Sequence, residues 1–289
     1  MNWPLIPNLK FSLNEYLVLS ELATSVTTEL PNFHIVIPAR FASQRFPEKL
    51  LAPLGDKPVI QWVYELALMA GAESVVIATD HEKICRVAQA FGADVLMTRS
   101  DHENGTERLA EVAALKGWLK NEIVVNIQGD EPFLPIDIIH TAVAALAKDS
   151  AADMATMACP IRHKEDFFSP HVVKVVCDQE QRALYFSRAP IPWDRDGFAD
   201  SVVLNETMPA LRHIGLYVYR ARLLSQYANM PISPLEKWEK LEQLRLLHQG
   251  VKIQVAVAAG MPPHGVDTPE DLVKLNLLLS KMLARTQAK

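Results

Sequence analysis

Cysteine is scarce in this chain. Its 289 residues hold three, Cys85, Cys159 and Cys177, widely spaced and without a C-x-x-C pair. That excludes a disulfide framework and a cysteine zinc site, and fits a reducing cytoplasm. An excess of basic charge is also missing. The net charge is −5 and the pI near 6.0, which excludes a general nucleic-acid binder and makes any anion site a local one. No apolar run reaches the ~18 residues of a membrane span, so no membrane insertion is expected. Residues 1–32 carry one basic residue, Lys10, and Glu15, Glu21 and Glu29 interrupt their apolar runs, unlike a secretory signal. Leu13 and Leu17 allow a short amphipathic helix there, after Ser12. There is no G-x-x-x-x-G-K-[ST], hence no P-loop. Internal repeats and long linkers are lacking too.

What is present is apolar bulk, 49% of residues, ample for a packed core. From Phe33 the pattern alternates. Strands are predicted at Phe33–Ile37, Val75–Ala78, Asp94–Met97 and Ile123–Ile127, and helices over 58–70, 82–91, 106–118 and 135–147. Pro38, lacking an N–H, is expected to stop the first strand. Strands alternating with helices imply a mostly parallel, Rossmann-like α/β sheet with helices on both faces. Right-handed crossovers gather the loops 39–57, 79–81, 98–106 and 128–134 at one sheet edge. After residue 150 the beat changes. Strands at 153–159, 172–177, 183–186, 214–219 and 252–258 are expected, with one helix from Ser233-Pro234 to His248 and another from Thr268-Pro269. Residues 189–210, rich in Pro and Asp, read as a long functional loop. The expected organisation is an extension over 1–32 and one domain over 33–289, elaborated at about 150–250.

Candidate chemistry sits at the sheet edge. The loop after the first strand carries Arg40, Arg45 and Lys49, with small residues Ala39, Ala42 and Ser43 between or beside them. Three cations in that place suit a polyanion, and small residues let backbone N–H groups approach phosphate oxygens. A solvated basic loop is the alternative. Asp130, in Gln128-Gly129-Asp130-Glu131-Pro132 after a strand, suits Mg2+ shared with phosphates, or else faces the next helix dipole. Thr268, Pro269 and Asp271 form a helix start with a capping box. Asp267 falls outside it, either a second metal carboxylate or a turn residue. Arg99 and Arg108 flank the Asn104-Gly105 turn and Thr106, where anion or base contacts compete with an ordinary surface turn. Lys174, Arg188, His213, Tyr217, Glu242 and Gln243 form a polar set in the second half. His213 and Tyr217 fall on one strand face by alternation.

The segments IPARFASQRFPEK, TRSDHENGTERLAEV, NIQGDEP, LYFSRAPIPWDRD, LRHIGLYVYR, SPLEKWEKLEQLR and GVDTPEDL resemble the 3-deoxy-manno-octulosonate (Kdo) cytidylyltransferases, in order and with nearly even spacing from Phe33 to the terminal helix. The resemblance implies a nucleotide-diphospho-sugar transferase fold and a Mg2+-dependent enzyme. Such an enzyme joins CTP to Kdo, releasing pyrophosphate, for lipopolysaccharide synthesis in the cytoplasm, as a homodimer. It implies that Ala39, Arg40, Ser43, Arg45, Lys49, Arg99, Gly105, Thr106 and Gln128 bind the nucleotide. Arg45, Lys49 and Asp130 would serve catalysis, and Asp130 and Asp267 the metal. Arg188, His213, Tyr217, Glu242 and Gln243 would surround the sugar acid, with the Arg188 fork on its carboxylate.

Three departures stand out. Glu48 replaces the family's usual glycine, adding a negative charge beside the phosphates and losing a glycine turn. Phe41 replaces a frequent Tyr, and Pro262-Pro263-His264 precedes Gly265. They admit an amino-substituted Kdo as acceptor. Another CMP-sugar-acid synthetase and a non-catalytic nucleotide-binding module are the alternative readings.

Overall fold

The computed structural model describes residues 30–41, 45–198, 204 and 207–287. The expected helix after Ser12, Ala42 and Ser43 lie outside the described residues.

β1 (Phe33–Ala39) is buried along its whole length, as its run of apolar residues requires. A short 3-10 turn (Lys49–Leu51) and a hairpin of β2 (Pro53–Leu54) and β3 (Lys57–Pro58) lead into α1 (Val59–Met69). Then come β4 (Ser74–Thr79), α2 (Glu82–Ala90), β5 (Asp94–Met97), α3 (Gly105–Lys116), β6 (Ile123–Asn126) and α4 (Ile136–Lys148). The second half holds β7 (Met154–Pro160), α5 (Lys164–Phe168), β8 (Lys174–Cys177), β9 (Ala183–Ser187), β10 (Leu211–Arg220), α6 (Ala221–Tyr227), α7 (Pro234–Glu239), α8 (Gln243–His248), β11 (Ile253–Val257) and α9 (Pro269–Gln287).

One sheet runs in the order β11-β7-β10-β6-β1-β4-β5, with β8 and β9 branching from β10. Neighbours are parallel except around β10, which is antiparallel to both β6 and β7. Because β10 runs backwards, its first half meets the C-terminal end of β7, and Tyr217 meets Asn126 at the end of β6. The sheet is covered on both faces. Ile35, Ile37 and Val125 pack towards α1 and α4, while Val36, Val124 and Val76 pack towards α3 and α6.

Three local expectations are corrected. Pro38 lies inside β1, opposite Ala78. The Val36 carbonyl accepts from Ile127 N–H at 3.1 Å, so Pro38, two residues on, turns its donorless nitrogen to the same side, beyond the last β1–β6 pair at Val36–Asn126. Asn104 is not a turn residue but the N-cap of α3, its side chain accepting from Glu107 N–H at 2.9 Å. The single helix expected over 233–248 is two. Lys240 adopts the left-handed conformation (φ 55°, ψ 45°) and ends α7, and Arg245 folds back onto Glu236 through two 2.8 Å bonds. Of the long loop at 189–210, residues 189–198 form neither helix nor strand.

Candidate active site

The edge where β1, β4, β6, β7 and β11 end carries two cavities that share Gln128. The larger, 380 Å³, is lined by Arg40, Lys49, Gly105, Gly129, Asp130 and Glu242, among others. The smaller, 260 Å³, is lined by Glu131, Arg212, His213, Tyr217, Gln243 and His264, among others. Glu242 and Gln243 are neighbours in sequence yet line different cavities, because successive residues at the start of α8 point about 100° apart.

At the floor of the larger cavity Lys49 pairs with Asp130, and its Nζ also lies 3.1 Å from Asp267. Arg45 reaches Asp267 at 3.0 Å, though its side chain is 68% exposed and lines neither cavity. Burial acts to lower the Lys49 pKa, but the two carboxylates outweigh it and hold the ammonium above its ordinary value. Glu131, behind them, is pushed up to about 8 by burial and by the charges of Asp130 and Asp267. Glu131 is thereby kept from adding a third negative charge beside Asp130 and Asp267 at neutral pH.

Two glycines permit the approach. A Cβ on Gly129 would lie 3.1 Å from the Pro38 carbonyl, so a side chain there would press the 128–130 turn away from β1 by a few tenths of an ångström. A Cβ on Gly265 would lie 2.6 Å from the Asp130 carbonyl and 2.9 Å from the Glu131 carboxyl. Val266 N–H then donates to that Asp130 carbonyl at 2.8 Å and delivers Asp267, the next residue, beside Asp130. Asp271 and Thr268 close the helix start through reciprocal bonds of 3.0 and 3.2 Å, as the capping box predicts.

Asp130 and Asp267 already share one cation, which shows that they converge. Among the described residues no group of three or more His, Cys, Asp or Glu could hold a metal. A pair of carboxylates fits Mg2+, which completes its shell with substrate phosphates and water.

Glu48 keeps the turn that a glycine would allow. It adopts the left-handed conformation (φ 58°, ψ 23°), at a cost of about 1–2 kcal/mol. Its carboxylate meets Lys83 of α2 at 2.5 Å, which offsets the extra charge expected beside the phosphates. Phe41 stacks on His81, ring centroids 3.6 Å apart, and Lys83 lies over the Phe41 ring.

Other expected residues fall elsewhere. Arg99 is exposed and forked onto Asp101 at 2.6 and 2.9 Å, away from both cavities. Arg108 is fully buried, paired with Asp80 at 2.8 Å and bonded to Thr98, and serves packing. Ala39 is buried in β1 between two lining residues, Pro38 and Arg40. Thr106 is buried too, its hydroxyl 3.0 Å from Tyr219 and donating to Glu242 at 3.3 Å. Burial pushes Glu242 up to about 7, against that hydrogen bond. Arg40 donates to the His102 carbonyl at 3.0 Å, and burial beside Arg108 lowers its pKa.

The acceptor set also divides. β10 bulges between Ile214 and Tyr217, so His213 pairs with Ala158 and Tyr217 with Thr156. His213 and Tyr217 still meet, ring centroids 5.5 Å apart. The Thr156 hydroxyl donates to the Leu216 carbonyl at 2.7 Å and lies 2.9 Å from His213 Nε2, so Nε2 carries the hydrogen. Burial drops His213 to about 3, keeping the ring neutral. Tyr217 donates to Gln243 Oε1 at 3.2 Å. Arg188 was expected beside the sugar acid. It lines neither cavity, because its guanidinium donates to the carbonyls of Glu239 (2.8 Å) and Pro170 (2.9 Å). Lys174 is likewise buried on the carbonyls of Ser169, Val172 and Arg188. Sequence reasoning missed Arg212, which does line the smaller cavity; its only signal was adjacency to His213.

Comparison with known proteins completes this picture. The Cytidylyltransferase family model matches residues 34–253. The chain is 69% identical over 258 residues to the 3-deoxy-manno-octulosonate cytidylyltransferase of Marinomonas sp. (strain MWYL1), covering 88% of this chain and 98% of the relative. It belongs to the 3-deoxy-manno-octulosonate cytidylyltransferase family. A second such cytidylyltransferase, from Aliivibrio fischeri (strain MJ11), is 55% identical over 250 residues, covering 86% of this chain and all of the relative. The solved structure of a CMP:2-keto-3-deoxy-manno-octonic acid synthetase complexed with CTP superposes with TM-score 0.79 at 40% identity, over 87% of this chain and 99% of the other. The fold expected of this cytidylyltransferase, a mostly parallel sheet with helices on both faces and a smaller mixed α+β insertion in the second half, is the fold it has.

Proposed function

We propose that this cytidylyltransferase joins CTP to Kdo or a close analogue, such as an amino-substituted Kdo, giving the CMP-sugar and pyrophosphate for lipopolysaccharide synthesis. The observation that carries the reading is the meeting of Lys49, Asp130 and Asp267 on the floor of a cavity lined by Arg40 and Gly105. Support for the substrates comes from the 3-deoxy-manno-octulosonate cytidylyltransferases of Marinomonas sp. and Aliivibrio fischeri, which share half or more of this sequence.

In this reading the triphosphate lies in the larger cavity and the sugar acid in the smaller, with Gln128 between them. The anomeric hydroxyl attacks the α-phosphorus in line with departing pyrophosphate. Such a reaction asks the protein mainly for positioning and charge neutralisation. Arg40 and Lys49 hold phosphate oxygens, with Arg45 at the rim. Asp130 and Asp267 would hold Mg2+, which when bound supplies charge neutralisation at the α-phosphate and acidifies the attacking hydroxyl. Neutral His213, Tyr217 and Gln243 offer hydrogen bonds to sugar hydroxyls without competing for charge. A homodimer through residues 150–250 belongs to the same proposal, supported by Leu184, Trp193 and Trp238, which are 62%, 59% and 89% exposed.

Product analysis with CTP and a panel of acids tests it. A CMP ester of Kdo or of an amino-Kdo is expected. A CMP ester of a sialic acid alone would favour another sugar-acid synthetase. Nucleotide binding without any product would favour a non-catalytic module.

A further inference from the structure

Arg245 is buried and charged, yet it lines neither cavity. Its side chain is 3% exposed, and its Nε and Nη2 donate to the Glu236 carboxylate at 2.8 Å each. The guanidinium lies over the Tyr227 ring, 4.7 Å from its centroid, and Nη1 stands 3.6 Å from Glu107 of α3. Helices α3, α6, α7 and α8 thus meet at one side chain. A buried ion pair is a poor source of stability, because apolar residues of similar volume often serve as well or better. What a planar fork with several fixed partners supplies is geometry.

The geometry it fixes belongs to the active site. At the start of α3, Asn104 and Gly105 line the larger cavity; at the start of α8, Glu242 lines the larger and Gln243 the smaller. Each partner of Arg245 leads there in one step. Glu107 accepts from Asn104 Nδ2 at 3.3 Å and from Glu103 N–H at 2.8 Å, and the Tyr227 hydroxyl accepts from the same Nδ2 at 3.2 Å. Glu236, on the other side, holds Arg245 and with it the first turn of α8, where Glu242 accepts from the Thr106 hydroxyl of α3 at 3.3 Å.

We propose that Arg245 is a positioning residue for the nucleotide: through Glu107 and Tyr227 it sets the start of α3, and through Glu236 the start of α8, so that Asn104, Gly105 and Glu242 keep their places around the larger cavity. It acts through these partners and touches no substrate itself. The inference rests on the placing of CTP in that cavity given above.

The test measures CTP affinity by calorimetry, kcat and KM by pyrophosphate release with Kdo, and melting temperature. The proteins are the wild type, Arg245→Lys, Glu107→Gln, these two combined, and the double variant Arg245→Met with Glu236→Leu. That double variant replaces the ion pair by apolar side chains and should melt within a few degrees of the wild type. It should nevertheless lose roughly ten- to a hundredfold in kcat/KM for CTP, the scale on which a misplaced contact acts. Arg245→Lys keeps the charge but not the fork, and should lie between. It serves as the reporter if the apolar variant does not fold. Arg245→Lys and Glu107→Gln break one shared contact, so their combination should lose little more than either alone. A merely structural Arg245 predicts a lower melting temperature with wild-type kcat and KM in the folded protein. That outcome, or losses that multiply in the combined variant, overturns the assignment. A wild type that binds no CTP overturns the reading beneath it instead, and the first titration tells the two failures apart.

Discussion

Lys49 and Asp130, 81 positions apart in sequence, form an ion pair at the floor of the larger cavity, and Asp267 reaches the same ammonium from 218 positions away. Three segments thus converge on one point: the basic loop after β1, the turn after β6 and the entry to α9. The two carboxylates are held together by Lys49, with Arg45 on the outer side of Asp267.

Asp130→Asn is expected to lower turnover by at least about 100-fold, as loss of a transition-state charge contact does. The Asp130 side chain is 25% exposed, so the variant should melt within a few degrees of the wild type. Near-normal turnover at saturating Mg2+ would remove Asp130 from the proposed metal site.

Gly265→Ala tests the close approach that sets Asp267. A methyl 2.6 Å from the Asp130 carbonyl must displace backbone, costing about 1–3 kcal/mol and pulling Asp267 from its partner. Both stability and turnover should fall. Unchanged behaviour in both would mean that the 265–267 segment adapts and its glycine is incidental.

Glu48→Gly relieves a left-handed residue but removes the exposed pair with Lys83. Such a pair contributes little, so a net gain of roughly 0.5–1 kcal/mol is expected, with CTP binding equal or tighter. Denaturant unfolding decides it; a loss of stability would show that the Lys83 contact outweighs the backbone term.

Glu242 gives a pH signature. Its folded pKa, about 7, lies above the ordinary 4.5, so the folded state holds the proton more firmly than the unfolded one. That contribution is complete below pH 4.5 and is lost as pH rises through 7. Glu242→Gln should therefore flatten the decline in stability between pH 5 and 7.5. An equal slope in both proteins would show that Glu242 titrates normally.

Much of this arrangement was legible in the chain. Apolar runs such as Phe33–Ile37 and Ile123–Ile127 specify buried parallel strands, and the sheet edge follows from their order. Thr268 and Asp271 announce a helix start through local chemistry alone. What was not legible depends on long-range contact. Nothing local to Lys240 marks the break between α7 and α8, since Arg245 and Glu236 enforce it from either side. Arg188 and Arg212 are equally good carboxylate partners as residue types. Arg188 is held off both cavities by the carbonyls of Pro170 and Glu239, whose positions no spacing reveals. Pro38 looks like a strand terminator until the end of β6 leaves its nitrogen without a neighbour.

The central claim, transfer of the cytidylyl group to a Kdo-type acid, is tested most directly by pyrophosphate release from each of the common nucleoside triphosphates with Mg2+, in the presence and absence of Kdo. The account predicts release from CTP that depends on both the acid and the metal, and little from the other triphosphates. Release from CTP that ignores the acid, or CTP binding with no release for any acid of this class, would contradict it.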